Sequence, residues 1–257
     1  MSGPADWYLR YGRHDLPWRA SRDRWPVLVS EVMLHQTQVP RVLAAWPEFI
    51  DRFPTPAAMA AAGPGAVITA WGRLGYPRRA RRLWEAAVVI AEDGWPDDLE
   101  MLPGVGRYTA RAIVTQCDDV DIGAIEVNVR RVVERVSGRR LTTTEAEALM
   151  LTIGAPLRGR DRLLALMDVG ALLCRPQPRC DDCPLRRRCR AKGALAGESV
   201  RRAPSYEGSF RQRRGRVLAA LRASDSCAAT DLDTEALTSL VTDGLAVVTP
   251  AGRASLP

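Results

Sequence analysis

The sequence predicts a mainly α-helical chain, and three observations predict it. Strand signals are scarce, apolar residues recur at helical spacing, and helix breakers fall at short intervals that leave helices of ordinary length joined by tight loops. From the N-terminus, Met1 to Arg13 carries charges and aromatics with no basic start followed by an apolar run, so no signal peptide is expected. Val27, Val29, Val32 and Met33 place one apolar face on a helix, and Leu83, Ala86, Ala87 and Ile90 place another. Pro54 and Pro56, Gly63 to Gly65, Gly94 to Pro96, and Pro103 to Gly106 interrupt the pattern. Residues 191–208 are small, polar and basic and are expected to form a linker. Beyond them, Arg211 to Ala223 and Asp233 to Asp243 read as helices and Leu245 to Thr249 as one strand, an order that resembles a small winged-helix segment over 209–257, with a merely stabilising appendage as the equal alternative. There is no internal repeat.

The 257 residues are 46% apolar and 26% charged, and no stretch approaches the roughly 20 continuous apolar residues that span a bilayer. A membrane protein is therefore excluded at this stage, and a cytoplasmic location is expected. The charge balance, 37 basic against 30 acidic residues, favours a polyanionic partner. All the basic residues except Lys192 are arginines, a bias that a GC-rich genome alone produces. Their clustering says more: Arg78, Arg79, Arg81 and Arg82, then Arg130, Arg131, Arg139 and Arg140, then Arg186 to Arg188 and Arg190.

Four of the 6 cysteines, Cys174, Cys180, Cys183 and Cys189, follow the pattern C-x5-C-x2-C-x5-C. Thiolates at such short spacing suit zinc or an iron-sulfur cluster, and spacing alone does not separate the two. Cys117 and Cys227 stand apart and read as packing residues.

Gly104, Val105 and Gly106 form a Gly-x-Gly turn immediately before a helix that starts near Arg107. Two glycines let the backbone approach a phosphate, and the helix start presents unpaired amides to it. Alone the turn is a weak signal, because plain helix-helix turns share it. The full string Leu102 to Ala110 resembles the helix-hairpin-helix of the base-excision DNA glycosylases that include endonuclease III and MutY, and the resemblance implies that Gly104, Val105, Gly106 and Arg107 meet DNA. Three further segments make that resemblance specific. Ser30 to Gln38 (SEVMLHQTQ) is similar to the MutY-type SEVMLQQTQ segment; Trp71 to Tyr76 is similar to the loop whose tyrosine wedges into DNA; and Leu166 to Ala171 leads into the four cysteines as it does in the family.

The resemblance covers about residues 5–190. It implies the helix-hairpin-helix DNA glycosylase fold: a six-helix barrel module over 21–116 and an iron-sulfur cluster domain from 1–20 and 117–190. It favours a [4Fe–4S] cluster on the four cysteines, with zinc as the alternative. The first gap is one residue shorter than the family's. The partner it implies is double-stranded DNA holding a mispaired or damaged base, bound by a monomer near the bacterial nucleoid.

Cleaving an N-glycosidic bond passes through an oxocarbenium-like sugar, so one acid must protonate the leaving base and one carboxylate must face the cation. Glu31, in an otherwise apolar stretch, suits the first role because burial raises a carboxyl pKa. A lone glutamate on an apolar face is also often a satisfied structural group, and here its motif decides for catalysis. For the second role the family supplies the aspartate of an Asp-Gly-Asn-Val segment. The matching residues are Glu126, Val127, Asn128 and Val129, so the carboxylate is moved out by one methylene and the glycine is replaced by a β-branched residue. Bifunctional relatives place a lysine just after the hairpin, where its amine forms a Schiff base. Here that residue is Tyr108, which implies a monofunctional glycosylase.

Gln36 and Tyr76 match the family's intercalating residues, which help to offset the few kcal/mol of nucleotide flipping. Trp18 and Arg19 match its base-pocket wall. His35 replaces a family glutamine, and Leu164 stands where several relatives place a polar pocket residue. The family's large C-terminal domain, which recognises 8-oxoguanine, does not fit in the residues after the linker, so that recognition is expected to be weaker or to use other elements. The expected function is removal of adenine opposite 8-oxoguanine or guanine. The alternatives are a paralogue acting on another base and a non-catalytic sensor of DNA damage, which would need neither carboxylate.

Overall fold

The computed structural model describes residues 3–198 and 205–257. In chain order the helices are α1 (Pro4–Tyr11), α2 (Arg24–Leu34), α3 (Val39–Arg52), α4 (Pro56–Trp71), α5 (Arg78–Asp93), α6 (Arg107–Cys117), α7 (Val127–Ser137), α8 (Thr143–Ile153), α9 (Gly159–Asp168), α10 (Phe210–Ala223) and α11 (Thr234–Thr242). The strands are β1 (Cys227–Ala228), β2 (Val247–Val248) and β3 (Arg253–Ser255). The mainly helical class expected from the apolar spacing is what the structure has. No described helix is long and apolar enough to cross a membrane.

Helix ends follow local chemistry. Thr55 caps α4 by accepting from the Ala58 amide at 3.1 Å, and Thr142 with Glu145 forms a reciprocal capping box on α8. Gly138, in the left-handed region at φ 76°, closes α7. Gly63 breaks α4 at φ 78°, ψ 162°, where the Gly63 to Gly65 interruption was expected.

Two compact units result. The first comprises residues 1–28 and 105–201, the second residues 29–104 and 202–257. This division differs from the 21–116 module the sequence suggests. Helix α6 belongs with the first unit because Ala112 joins a core made by Val129, Val132 and Val133 of α7, Met150 of α8, and Leu163 to Leu166 of α9. Trp7 and Tyr8 of α1 close the same core.

In the second unit, α4 and α5 pair through buried Met59, Val67, Ile68 and Trp71 against Ala80, Leu83, Ala87 and Ile90. Phe49 of α3 packs edge-on to Trp71 with ring centroids 5.8 Å apart. The C-terminal segment groups with these helices. Its strands form an antiparallel sheet in the order β1-β3-β2, beside α10 and α11, which is the arrangement of a winged helix. Only Val247–Val248 of the expected strand Leu245 to Thr249 pairs in the sheet, because Leu245 is drawn into the turn that closes α11, its amide donating to the Leu240 carbonyl at 2.8 Å.

Part of the expected linker 191–208, residues 199–204, lies outside the described residues. Residues 191–198 are held on α7: the Ala191 amide donates to the Arg135 carbonyl at 3.1 Å, and Arg135 donates to Glu198 at 2.5 and 3.1 Å.

Candidate active site and nucleic-acid interface

In the first unit, Glu126 is the N-cap of α7. Its Oε1 accepts from the Val129 amide at 2.8 Å, and its Oε2 accepts from the Asn128 amide at 2.7 Å and Asn128 Nδ2 at 3.0 Å. N-cap side chains are usually short; a glutamate reaches the same amides only by curling back. Burial raises its pKa above the ordinary value, against the pull of the Asn128 and Val129 amides and the Arg131 charge. A half-buried carboxylate that holds three donors is fixed in place. Val127 beside it points outward, 70% exposed.

Asn128 is itself held. Arg131 Nη2 donates to Asn128 Oδ1 and to the Gly170 carbonyl, both at 2.8 Å, and Arg131 Nε donates to the Cys174 carbonyl. A Cβ on Gly170 would lie 2.7 Å from Asn128 Cβ, so only glycine lets this close approach occur. Hydrogen bonds thus run unbroken from the Glu126 carboxylate to the first of the four cysteines. Neither Arg131 nor Gly170 stands out in the sequence as a site residue; the available signal was that Asn128 and Arg131 are three apart on one helix face.

Trp18 is buried, and Tyr108 packs against the core of this unit. Leu164 is likewise a core residue. Arg19, expected on the pocket wall, has its two terminal nitrogens on Asp168 at 2.8 and 2.9 Å. Arg13 reaches the same carboxylate at 2.6 Å. Burial alone would raise the pKa of Asp168, but the hydrogen bond and charge of Arg19, then Arg13, hold it below the ordinary carboxylate range. Arg19 therefore orders the wall as half of a buried ion pair. Arg107, expected to meet DNA, donates in bidentate fashion to Glu147 at 2.9 and 2.8 Å, which neutralises much of its charge.

The four cysteines line one partly open pocket together with Arg135, Arg179, Lys192 and neighbouring residues. A π-helical turn, Val169–Leu173, leads into Cys174. Arg135 Nη1 donates to Cys174 Sγ at 3.4 Å. The Cys183 thiol is pushed up to about 11, by burial first and then by the charges of Cys174, Cys189 and Cys180. Thiols that share a cavity and resist one another's ionisation form a donor set that needs positive countercharge. That chemistry fits a bound cluster or metal, although among the described residues no three His, Cys, Asp or Glu side chains meet at a single-ion site.

In the second unit, Glu31 lies on α2, 5% exposed, between fully buried Val29 and Met33. Burial, then the Arg79 charge, lowers the pKa of His35. Gln36 and Tyr76 both adopt the left-handed region, at φ 56° and 48°, and both side chains are exposed. Such conformations cost about 1–3 kcal/mol in a non-glycine residue and persist where the surroundings enforce them. Gly104 has φ 81°, and a Cβ there would meet Arg82 Cβ at 2.9 Å. In the first unit Val105 is buried, and Gly106 is the N-cap of α6 in extended backbone.

Comparison with known proteins gives a consistent picture. Residues 29–154 match the model of the HhH-GPD superfamily base excision DNA repair protein. The chain is 41% identical to an adenine DNA glycosylase of Mycolicibacterium smegmatis, covering 97% of this chain and 93% of that one. It is 42% identical to an adenine DNA glycosylase of Mycobacterium tuberculosis, covering 98% and 91%. Among solved structures, a thermostable thymine-DNA glycosylase superposes with TM-score 0.65 at 26% identity, covering 72% of this chain and 91% of that one.

Proposed function

The chain belongs to the adenine DNA glycosylase family of the HhH-GPD superfamily, and from that premise we propose that it releases adenine mispaired with 8-oxoguanine or guanine from duplex DNA. It is a DNA glycosylase of base excision repair. Glu31 is the general acid: it delivers a proton to the base as the bond from C1′ to the base nitrogen breaks, so adenine leaves neutral. Glu126 supplies the negative charge that faces the developing oxocarbenium. Water then adds its oxygen to C1′ and releases a proton, which restores the acid. Asn128 and Arg131 keep the carboxylate in place. Tyr108 stands where a Schiff-base lysine would be needed, and the single lysine, Lys192, lines the cysteine cavity. The reaction therefore stops at an abasic site without strand cleavage. Gln36 and Tyr76 form the wedge, the glycines of the hairpin contact phosphate, and Trp18 and Arg19 shape the base-pocket wall.

Cys174, Cys180, Cys183 and Cys189 hold a [4Fe–4S] cluster in this reading. Four sulfurs disposed around a cavity suit a multi-iron cluster, and such a cluster cross-links the segment that orders Arg131. We place the enzyme with its DNA in the bacterial cytoplasm as a monomer. Anaerobically purified protein should be brown and contain iron in excess of zinc; stoichiometric zinc without iron refutes the cluster.

The observation that carries this reading is the Glu126 carboxylate, held by three donors at the head of α7, which a damage sensor does not need for catalysis. The decisive experiment is Glu31→Gln, assayed on duplexes that each carry one candidate lesion. The amide keeps the shape of the acid but cannot give up the proton, so base release should disappear while lesion binding persists. Full release of adenine by this variant would refute Glu31 as the acid. Release of another base in preference to adenine by the native protein would favour the paralogue reading.

A further inference from the structure

Two loops of the second unit carry the wedge residues, and one side chain joins them. Gln36 follows the C-terminal end of α2, and Tyr76 follows the end of α4. Arg79, in the first turn of α5, reaches both. Its Nη1 donates to the Val32 and Met33 carbonyls in the last turn of α2 at 2.7 and 3.1 Å. Its Nη2 donates to Thr37 Oγ1 at 2.9 Å and to the Gly75 and Leu74 carbonyls at 3.0 and 3.4 Å. The guanidinium also lies 5.1 Å from the centroid of Trp71 and 5.5 Å from that of Tyr76. Thr37 Oγ1 reinforces the bridge by donating to the Leu74 carbonyl at 3.3 Å.

This network closes around the two strained positions. Gln36 lies between the α2 carbonyls and Thr37, all bound by Arg79, and Tyr76 lies between Gly75 and Arg79 itself. A left-handed glutamine and a left-handed tyrosine relax unless their neighbours hold them. Only a planar fork can bond two helix-end carbonyls on one side and a hydroxyl with a turn carbonyl on the other while stacking on two rings; an ammonium cannot. The arrangement also leaves Arg79 Nε buried without a partner, a cost that local stability alone would not favour.

We propose that Arg79 is a positioning residue that holds Gln36 and Tyr76 as one preformed wedge, so that its loss impairs extrusion of the target nucleotide and leaves the bond-breaking step intact. The proposal rests on the glycosylase reading above.

The test compares the full-length protein with Arg79→Met, Arg79→Lys and Thr37→Val on two duplexes. In one the target adenine is opposite 8-oxoguanine; in the other it faces an abasic-site analogue and is already loosely stacked. Extrusion is read by the fluorescence of 2-aminopurine in place of the adenine, chemistry by single-turnover base release, and folding by thermal melting. Because a flipped base has already met the stacking cost, the Arg79→Met deficit should be about tenfold or more on the paired duplex and under about threefold on the unpaired one. Arg79→Lys should rescue little, and Thr37→Val should show a smaller loss of the same selectivity with native melting. Equal losses on both duplexes in a folded variant, or no loss on either, overturn the proposal. If Arg79→Met fails to fold, Thr37→Val decides by the same selectivity. A native protein that extrudes 2-aminopurine but releases no adenine defeats the glycosylase reading, while the fluorescence still judges Arg79; one that extrudes nothing overturns the wedge itself.

Discussion

Arg131 donates to Asn128 Oδ1 at 2.8 Å, and the Nδ2 of the same amide donates to Glu126 at 3.0 Å. The amide therefore has its orientation dictated from one side by a guanidinium and presents its donor to the carboxylate on the other. Since Arg131 is anchored in turn on the Gly170 and Cys174 carbonyls, the placement of Glu126 depends on the cysteine segment.

It follows that Arg131→Met should reduce base release by about 10–100-fold, the range expected when a partner that orients a functional ligand is lost. The pH profile separates this from a general loss of structure. In its proposed role Glu126 acts ionised, so activity should fall as pH drops through its pKa. Burial already raises that pKa, and the Arg131 charge opposes the rise. Removing the charge raises it further, and the acid limb should move to higher pH. A uniform loss with an unshifted limb would contradict the relay.

Asp168 supports the same unit by a different device. Its fully buried carboxylate faces Arg13 and Arg19, and its depressed pKa means that its stabilisation is fully present above the ordinary aspartate pKa and is lost as pH falls through the folded value. Asp168→Asn leaves buried arginine charge uncompensated and should cost about 3–5 kcal/mol in unfolding free energy. The difference from the native protein should shrink toward acid pH. A stability gap that stays constant from neutral pH down to about pH 2 would show that the ion pair is not its source.

How much of this was legible in the sequence varies with the distance over which each feature is written. The apolar faces of α2 and α5 and the cysteine quartet are local patterns, and their residues alone announce them. The C-terminal helices were readable for the same reason, whereas β1 and β3 are too short to leave a pattern. Arg19 reads as a pocket residue until Asp168, 149 positions away, closes on it. Arg107 is likewise an exposed cation until Glu147 pairs with it. The left-handed conformations of Gln36 and Tyr76 could not be anticipated, because neither residue type favours them; the hydrogen bonds of Arg79 impose them from elsewhere in the unit.

The C-terminal segment acts as a brace within the second unit. Arg222 Nε donates to the Ile68 carbonyl at 3.1 Å, Arg81 donates to the Gly244 carbonyl, and a Cβ on Gly65 would stand 2.5 Å from the Pro257 carbonyl oxygen. The helix α11 that a winged helix would offer to DNA carries Glu235 and no basic residue, while Arg213 and Arg214 pair with acids that flank it. Gly65→Ala should therefore destabilise the protein by about 1–3 kcal/mol through overpacking, seen as a lowered Tm. Removing Leu256 and Pro257 should relieve most of that penalty, a non-additive pair in the sense of direct contact. Additive effects would show that the C-terminus does not rest on α4. Binding to undamaged duplex should change little in either variant.

The final prediction concerns the acid that departs from the family. Glu126 is one methylene longer than the aspartate of the related motif, and a displacement of about 1 Å can cost on the order of 100-fold in rate. The longer side chain curls so that its oxygens take the amides of Asn128 and Val129, the second and third residues of α7. Those are the amides a capping aspartate takes. The longer acid thus takes the same amides as a shorter capping acid, which keeps its carboxylate at the head of α7. Glu126→Asp should accordingly keep adenine release within about tenfold of native, with α7 at least as well capped. Glu126→Gln, which keeps the length but removes the charge facing the cation, should lose about 100-fold or more. Since Val127 is exposed, Val127→Gly in the Glu126→Asp background should cost no more than about 1 kcal/mol of helix stability. Collapse of activity in Glu126→Asp, with melting unchanged, would mean that the site is built around the longer acid and that the curl seen here is not its working conformation.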